Sequence, residues 1–292
     1  MDRVAICVAG GKGGVGKTFI AINIARLAAE RLGRVLIVDA DVDNPSTPHF
    51  LGCVPQRVAT VSIFVPRIDS SRCRACGRCV EYCPEHALAL VPSKGVILLE
   101  DLCSGCRLCK LVCPHQAIGD GSKIEGWIEL CETSWAKAVV GELAVGSRRE
   151  AIVIKRLADY AASYVANHRV SVVDSPPGTG AKLYPLIKMC SVVAIVTEPT
   201  PLGLSDYLKF LEFLDRVAPG KRFVTIANKW GVSREVQDRI ERVARERNSL
   251  LVKIPYSSEV PRSVARREIY VESRRDEVTE ALERALSEIL EA

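Results

Sequence analysis

The chain has 292 residues, 48% hydrophobic and 26% charged, a globular composition with enough length for one large domain and a small one. Lys and Arg outnumber Asp and Glu by 40 to 35, a net charge of +5 that is too mild and too scattered to argue for nucleic acid as a partner. The sequence shows no basic leader followed by an apolar core, and no stretch of ~18 uninterrupted apolar residues, so the expectation is a cytoplasmic protein with no membrane partner.

Short Val- and Ile-rich runs at 4–8, 34–38, 170–173, 192–196, 223–227 and 250–254 read as strands. Helical patterns at 19–31, 152–167, 204–217 and 236–246 lie between most of them, and a last helix is expected over 276–292. Continuously apolar strands alternating with helices predict an α/β fold, a mostly parallel sheet with helices on both faces. The rhythm fails between about Asp43 and Ile124, where turn residues, prolines and cysteines replace strands and long helices. We therefore expect one domain made of residues 1–62 and 125–292 and an inserted domain at 63–124, with 127–145 returning the chain to the sheet.

Gly11-Lys12-Gly13-Gly14-Val15-Gly16-Lys17-Thr18 satisfies G-x-x-x-x-G-K-T after a predicted strand and before a predicted helix. Its glycines allow the backbone N–H groups to face phosphates. Lys17 then reaches the terminal phosphate oxygens and the Thr18 hydroxyl is suited to Mg²⁺. Asp39-Ala40-Asp41 and Asp174-Ser175-Pro176-Pro177-Gly178 each close an apolar strand.

Twelve cysteines are present, and eight fall in the insertion. Cys73, Cys76, Cys79, Cys83 and Pro84 recur 30 residues later as Cys103, Cys106, Cys109, Cys113 and Pro114, with Ala87 matched by Ala117. Each half reads C-x₂-C-x₂-C-x₃-C-P, the run that holds one [4Fe-4S] cluster with three cysteines and sends the fourth to the other cluster. The spacing assigns Cys73, Cys76, Cys79 and Cys113 to cluster A, and Cys103, Cys106, Cys109 and Cys83 to cluster B. Zinc is the alternative, although zinc sites draw four ligands as two separated pairs. Arg72, Arg74, Arg78, Arg107 and Lys110 should partly offset the clusters' negative charge. Cys7, Cys53, Cys131 and Cys190 each stand alone. His49, His86, His115 and His168 show no metal-ligand spacing.

The octamer at 11–18, with its extra Lys12, resembles the deviant Walker A motif of the MinD/ParA/Mrp family of P-loop ATPases. The resemblance covers roughly 1–60 and 125–292, and the whole architecture is similar to MinD-superfamily members with an inserted ferredoxin domain of α+β type. It implies ATP hydrolysis by a nucleotide-dependent homodimer, with Lys12 reaching the phosphates bound to the other subunit and Asp41 orienting the attacking water. Asp174 would hold Mg²⁺ through water, Pro177 and Gly178 would form the second switch with it, and Asn228, Pro255 and Tyr256 would contact adenine. The implied cofactors are ATP, Mg²⁺ and two [4Fe-4S] clusters.

The function this suggests is ATP turnover coupled to electron transfer or to metallocluster assembly and delivery, with a redox or metallocluster protein as partner and an ATP-gated reductase as the narrower form. The alternatives are an iron–sulfur cluster carrier or maturation factor, and a MinD/ParA-like spatial organiser with accessory clusters. The C-terminal Cys-x-x-Cys that the Mrp branch often bears is missing, and the acidic C-terminal helix lacks the basic face of a membrane-gripping MinD tail.

Overall fold

The computed structural model describes residues 3–92 and 94–291. The expected beginning of the first domain at residue 1 and the end of the last helix at residue 292 lie outside the described residues. The chain divides into two compact units. The first comprises the described residues up to Ala59, Ile128–Glu142 and the chain from Glu150 onward; the second comprises Thr60–Trp127 and Leu143–Arg149.

In the first unit the strands and helices follow in the order β1 (Val4–Ala9), α1 (Lys17–Leu32), β2 (Val35–Asp39) and α2 (Thr47–Leu51). The chain then leaves along β3 (Gln56–Ile68) and returns along β6 (Ile118–Glu132). β7 (Ala136–Leu143), α5 (Glu150–Val165), β8 (Val170–Asp174), α6 (Tyr184–Met189), β9 (Val192–Thr197) and α7 (Pro201–Val217) come next. The chain closes with β10 (Arg222–Trp230), α8 (Arg234–Glu246), β11 (Leu250–Pro255), α9 (Glu259–Ala265), α10 (Tyr270–Ser273) and α11 (Glu277–Glu291).

Nine strands make one sheet in the order β11-β10-β9-β1-β8-β2-β7-β6-β3. Every pairing from β11 to β7 is parallel. Strands β1, β2, β8 and β9 are almost wholly buried, which is why they read as unbroken apolar runs rather than alternating ones. Helix α1 is buried over most of its surface and packs against α11, which contributes Val278, Leu282, Leu286 and Ile289 to the same core. Phe19 of α1 meets Tyr270 edge-on, with ring centroids 5.6 Å apart.

The second unit carries the sequence repeat into its backbone. Helices α3 (Arg78–Glu81) and α4 (Leu108–Leu111) occupy equivalent places, and β4 (Leu88–Val91) pairs antiparallel with β5 (Gly95–Leu98). Leu99 N donates to Ala87 O at 2.7 Å, and 30 residues out of step Asp69 N donates to Ala117 O at 2.8 Å. Residues 143–149, expected in the larger domain, belong to this unit because Glu125 holds them. Its Oε2 accepts from Ser147 at 2.5 Å, its Oε1 pairs with Arg149 at 3.2 Å, and its carbonyl accepts from Ala144 N at 2.9 Å.

The expectation that strands stop between 43 and 124 is corrected by β3, which lies entirely in that interval. Its exposure alternates only in part, because buried Phe64 and Val65 are consecutive, and that blurred the period-two signal.

Leu282 is fully buried between α11 and the sheet. Leu282→Ala removes that packing and should cost about 2–5 kcal/mol, read as a lower urea midpoint of unfolding.

Candidate functional site

Strand β1 ends at Ala9 and the chain turns through glycines into α1. Gly14 (φ 77°) and Gly16 (φ 100°) take left-handed backbone that side chains resist. At Gly10 a Cβ would lie 2.5 Å from the Val196 carbonyl oxygen of β9, so only glycine allows the loop to leave the sheet this closely. Helix α1 opens at Lys17 with no side-chain cap and no acid in its first turn, leaving its N–H groups and its positive dipole end free for an anion.

Lys17 is buried, and its ammonium donates to Lys12 O at 3.0 Å. Burial lowers its pKa, and the nearby Asp174 and Asp41 carboxylates oppose that. Asp39 and Asp174 are register partners on β2 and β8, both buried. Thr18 Oγ1 donates to Asp174 Oδ2 at 2.6 Å, while Asp174 Oδ1 is buried without a hydrogen-bond partner. Burial, with the Asp39 charge behind it, pushes the Asp174 carboxyl well up. Asp39 Oδ2 accepts from Ser46 N and Thr47 N, both at 2.9 Å, and Oδ1 from Asp41 N at 3.2 Å. Burial raises its pKa to about 6 against those bonds. Asp39 thus organises the turn behind Asp41, and Asp41 faces the cavity. Burial raises the Asp41 pKa, with Lys17 opposing.

One cavity of the first unit brings together Gly13, Gly14, Gly16, Lys17, Thr18, Asp41, Pro177, Asn228, Pro255 and Tyr256. Gly11, Lys12, Val15, Asp174 and Gly178 are not among its lining residues; Gly178 takes φ 101°. Asn228 Nδ2 donates to Val15 O at 2.8 Å, so this amide braces the glycine loop at the edge of the cavity. The register of β10 against β11 shifts between Ala227 and Trp230, and Lys229 there has φ 56°. This bulge turns Asn228 and Lys229 toward the loop.

Sequence reasoning missed Glu198. Its buried carboxylate accepts from Lys12 Nζ at 2.5 Å and from Lys229 Nζ at 2.8 Å. Burial alone would raise its pKa, but the two ammonium groups outweigh burial and hold it below the usual glutamate value. Its position one residue beyond the buried strand β9 was the available signal, since open α/β sheets place their chemistry at the carboxyl ends of strands.

In the second unit the eight cysteines line two cavities. Cys73, Cys76, Cys79 and Cys113 share one. Cys83, Cys103, Cys106 and Cys109 share the other. Ala87 N donates to Cys83 Sγ and Ala117 N to Cys113 Sγ, both at 3.3 Å. Left-handed backbone at Ala75 and Gly77 recurs at Gly105 and Arg107. Burial pushes the Cys109 thiol up to about 11, and burial with Cys113 and Cys73 nearby raises Cys79. Among the described residues no group of three His, Cys, Asp or Glu converges on a single metal ion.

The reading of four solitary cysteines is corrected. Cys53 and Cys131 form a disulfide with Cα atoms 5.9 Å apart, a contact between residues 78 apart in sequence that spacing does not reveal. Cys7 and Cys190 are free thiols buried against one another.

Comparison with known proteins places this geometry. The CobQ/CobB/MinD/ParA nucleotide binding domain family matches residues 6–270. An uncharacterized protein of Methanocaldococcus jannaschii is 30% identical over 236 residues, 80% of this chain and 82% of that protein. The iron-sulfur cluster carrier protein of Haemophilus influenzae is 48% identical over 52 residues, 18% of this chain and 14% of that protein. Among solved structures, the cell division ATPase MinD of Pyrococcus furiosus superimposes with a TM-score of 0.59 at 17% identity, covering 100% of this chain and 99% of that one. MinD of Pyrococcus horikoshii, complexed with Mg-ADP, does so with a TM-score of 0.57 at 15% identity, covering 99% and 96%. These last likenesses are of fold, a P-loop α/β fold with a mostly parallel sheet. The chain belongs to the CobQ/CobB/MinD/ParA nucleotide-binding domain family.

Proposed function

We propose that the chain is an ATP-hydrolysing iron–sulfur protein whose nucleotide-dependent homodimer couples ATP turnover to electron transfer, or to metallocluster delivery, through two [4Fe-4S] clusters. The observation that carries the reading is the division of eight cysteines between two cavities in crossed three-plus-one order, on the same chain as a phosphate loop. A cubane takes one thiolate per iron, so its four ligands surround a volume rather than a point. Two cavities with four thiols each fit that requirement.

In this reading the triphosphate lies over the loop at 11–18, with backbone N–H groups and Lys17 on its oxygens. Thr18 Oγ1 and the unpartnered Asp174 Oδ1 are hard oxygen donors that fit Mg²⁺ directly or through water. When bound, the metal neutralises charge developing on the phosphates. Asp41, half-buried beside Lys17, orients the attacking water, and Lys12 reaches the phosphates of a second copy. Pro177 and Gly178 respond to the terminal phosphate, while Pro255 and Tyr256 flank the base. From Asp41 the chain runs through α2 directly into β3 and the second unit, so the acid-bearing turn and the cysteine-bearing segment are consecutive.

The 52-residue likeness to an iron-sulfur cluster carrier protein favours a second reading, in which the clusters are themselves delivered. Incubating ⁵⁵Fe-labelled protein with an apo-ferredoxin separates the two. Label that moves to the acceptor supports delivery, whereas label that stays on a reversibly reducible protein supports electron transfer.

Lys17→Ala should lower ATP hydrolysis by about 10²–10³-fold with unchanged circular dichroism; a variant that releases phosphate at the parent rate refutes the ATPase assignment. Anaerobically purified protein should contain about 8 iron atoms per chain. Cys113→Ser should cost iron and EPR signal from the first cavity's cluster alone, and the reduced spectrum of the parent protein should change on adding Mg-ATP.

A further inference from the structure

Glu198 stands at the end of β9, between the two strands that carry its partners. In the sheet order, β1 leads into the loop bearing Lys12 on one side, and β10 bears Lys229 on the other. Three features fix the carboxylate. Its oxygens divide between the lysines, Oε1 to Lys12 at 2.5 Å and Oε2 to Lys229 at 2.8 Å. Thr200 Oγ1 adds a donor to Oε1 at 3.3 Å, and itself caps α7 by accepting from Gly203 N at 3.0 Å. Gly203 leaves room for the glutamate stem, since a Cβ there would lie 2.9 Å from Glu198 Cγ and 2.3 Å from its carbonyl oxygen.

Lys229 serves a second purpose. Its ammonium also donates to Gly14 O at 3.0 Å, and the left-handed backbone at this lysine is strain that its side-chain contacts offset. One carboxylate facing two ammonium groups leaves a net positive charge beside the phosphate loop. The arrangement also allows exchange. A buried carboxylate stripped of its only partner is costly, but Glu198 keeps Lys229 when Lys12 departs.

We propose that Glu198 is the positioning residue for Lys12: in the nucleotide-free protomer it holds Lys12 within its own chain, and it yields Lys12 when nucleotide and a second copy supply a competing anion. This rests on the ATP-dependent dimer proposed above. Lys229 stays behind, so the glycine loop keeps its support through Gly14 while Lys12 moves. The device works through competition for one ammonium group, and a lysine paired in cis is unavailable in trans.

The experiment has two arms. Without nucleotide, the full-length protein, Glu198→Gln and Glu198→Asp are treated with an amine-reactive ester, and labelling at Lys12 and Lys229 is timed by mass spectrometry. Lys12 in Glu198→Gln should react about 5-fold faster than in the parent, the ratio that an ion pair of about 1 kcal/mol gives, with Glu198→Asp recovering most of the protection. Equal rates overturn the proposal, whatever the protein does with ATP. With a non-hydrolysable Mg-ATP analogue, sedimentation should show Glu198→Gln dimerising at about 5-fold lower protein concentration than the parent. Faster labelling with unchanged association overturns the exchange step. A parent protein that binds no analogue removes the nucleotide reading, and the labelling arm still decides whether Glu198 holds Lys12.

Discussion

Lys17 is only 7% exposed, and much of the first unit serves to make its charge tolerable. A buried cation is unstable unless polar and anionic groups replace its water. The carbonyl of Lys12 supplies one such group, and Asp174 and Asp41 supply the field. Parallel pairing of β2 with β8 brings Asp39 and Asp174 to the same level at the ends of their strands, where two carboxylates repel one another. The structure resolves this by giving them different work. Asp39 is satisfied by three backbone N–H groups of the turn, and Asp174 shares the Thr18 hydroxyl while one of its oxygens stays open. The open oxygen and the buried lysine are what make this end of the sheet a place for a charged ligand rather than a packed turn.

The loop was legible in sequence because its glycines sit where backbone geometry demands them, at left-handed Gly14 and Gly16 and at Gly10 against Val196 O. The central strands were legible because burial on both faces leaves no alternation to misread. The Glu198 partnership with Lys12 and Lys229 was not, because it depends on which strands become neighbours, and sheet order is not a local property. Strand β3 was missed for a related reason: its two faces change environment along its length, so no single period describes it. The family resemblance singled out Asp41 rather than Asp39, and the hydrogen bonds of Asp39 give the physical difference between the turn-builder and the residue that faces the cavity.

The segment after Asp41 is tied to the first unit at both ends. Asp39 fixes its start through Ser46 and Thr47, and Cys53 is linked to Cys131 of β6 just before the chain enters β3. Between those anchors lie α2 and residues His49 and Phe50, which line the cavity beside the glycine loop. Along the chain the disulfide stands between the Asp41 turn and the second unit.

Within the second unit the two halves are alike in backbone and unlike in charge. Left-handed residues, four-residue helices and N–H to sulfur bonds repeat at the same offset, so each half presents its thiols in the same way. Of the five basic residues expected to offset part of the clusters' negative charge, three have carboxylate partners. Arg107 and Lys110 both pair with Asp120, at 3.3 and 2.6 Å, and Arg72 pairs with Asp69 at 3.6 Å. The cavity of Cys73, Cys76, Cys79 and Cys113 is faced by Arg74 and Arg78, which have no carboxylate partner among the described residues. The other is faced by Glu85 and by Arg107, whose charge Asp120 already compensates. The two cavities thus differ in charge, the first lined by two arginines without a carboxylate partner and the second by a glutamate and a paired arginine.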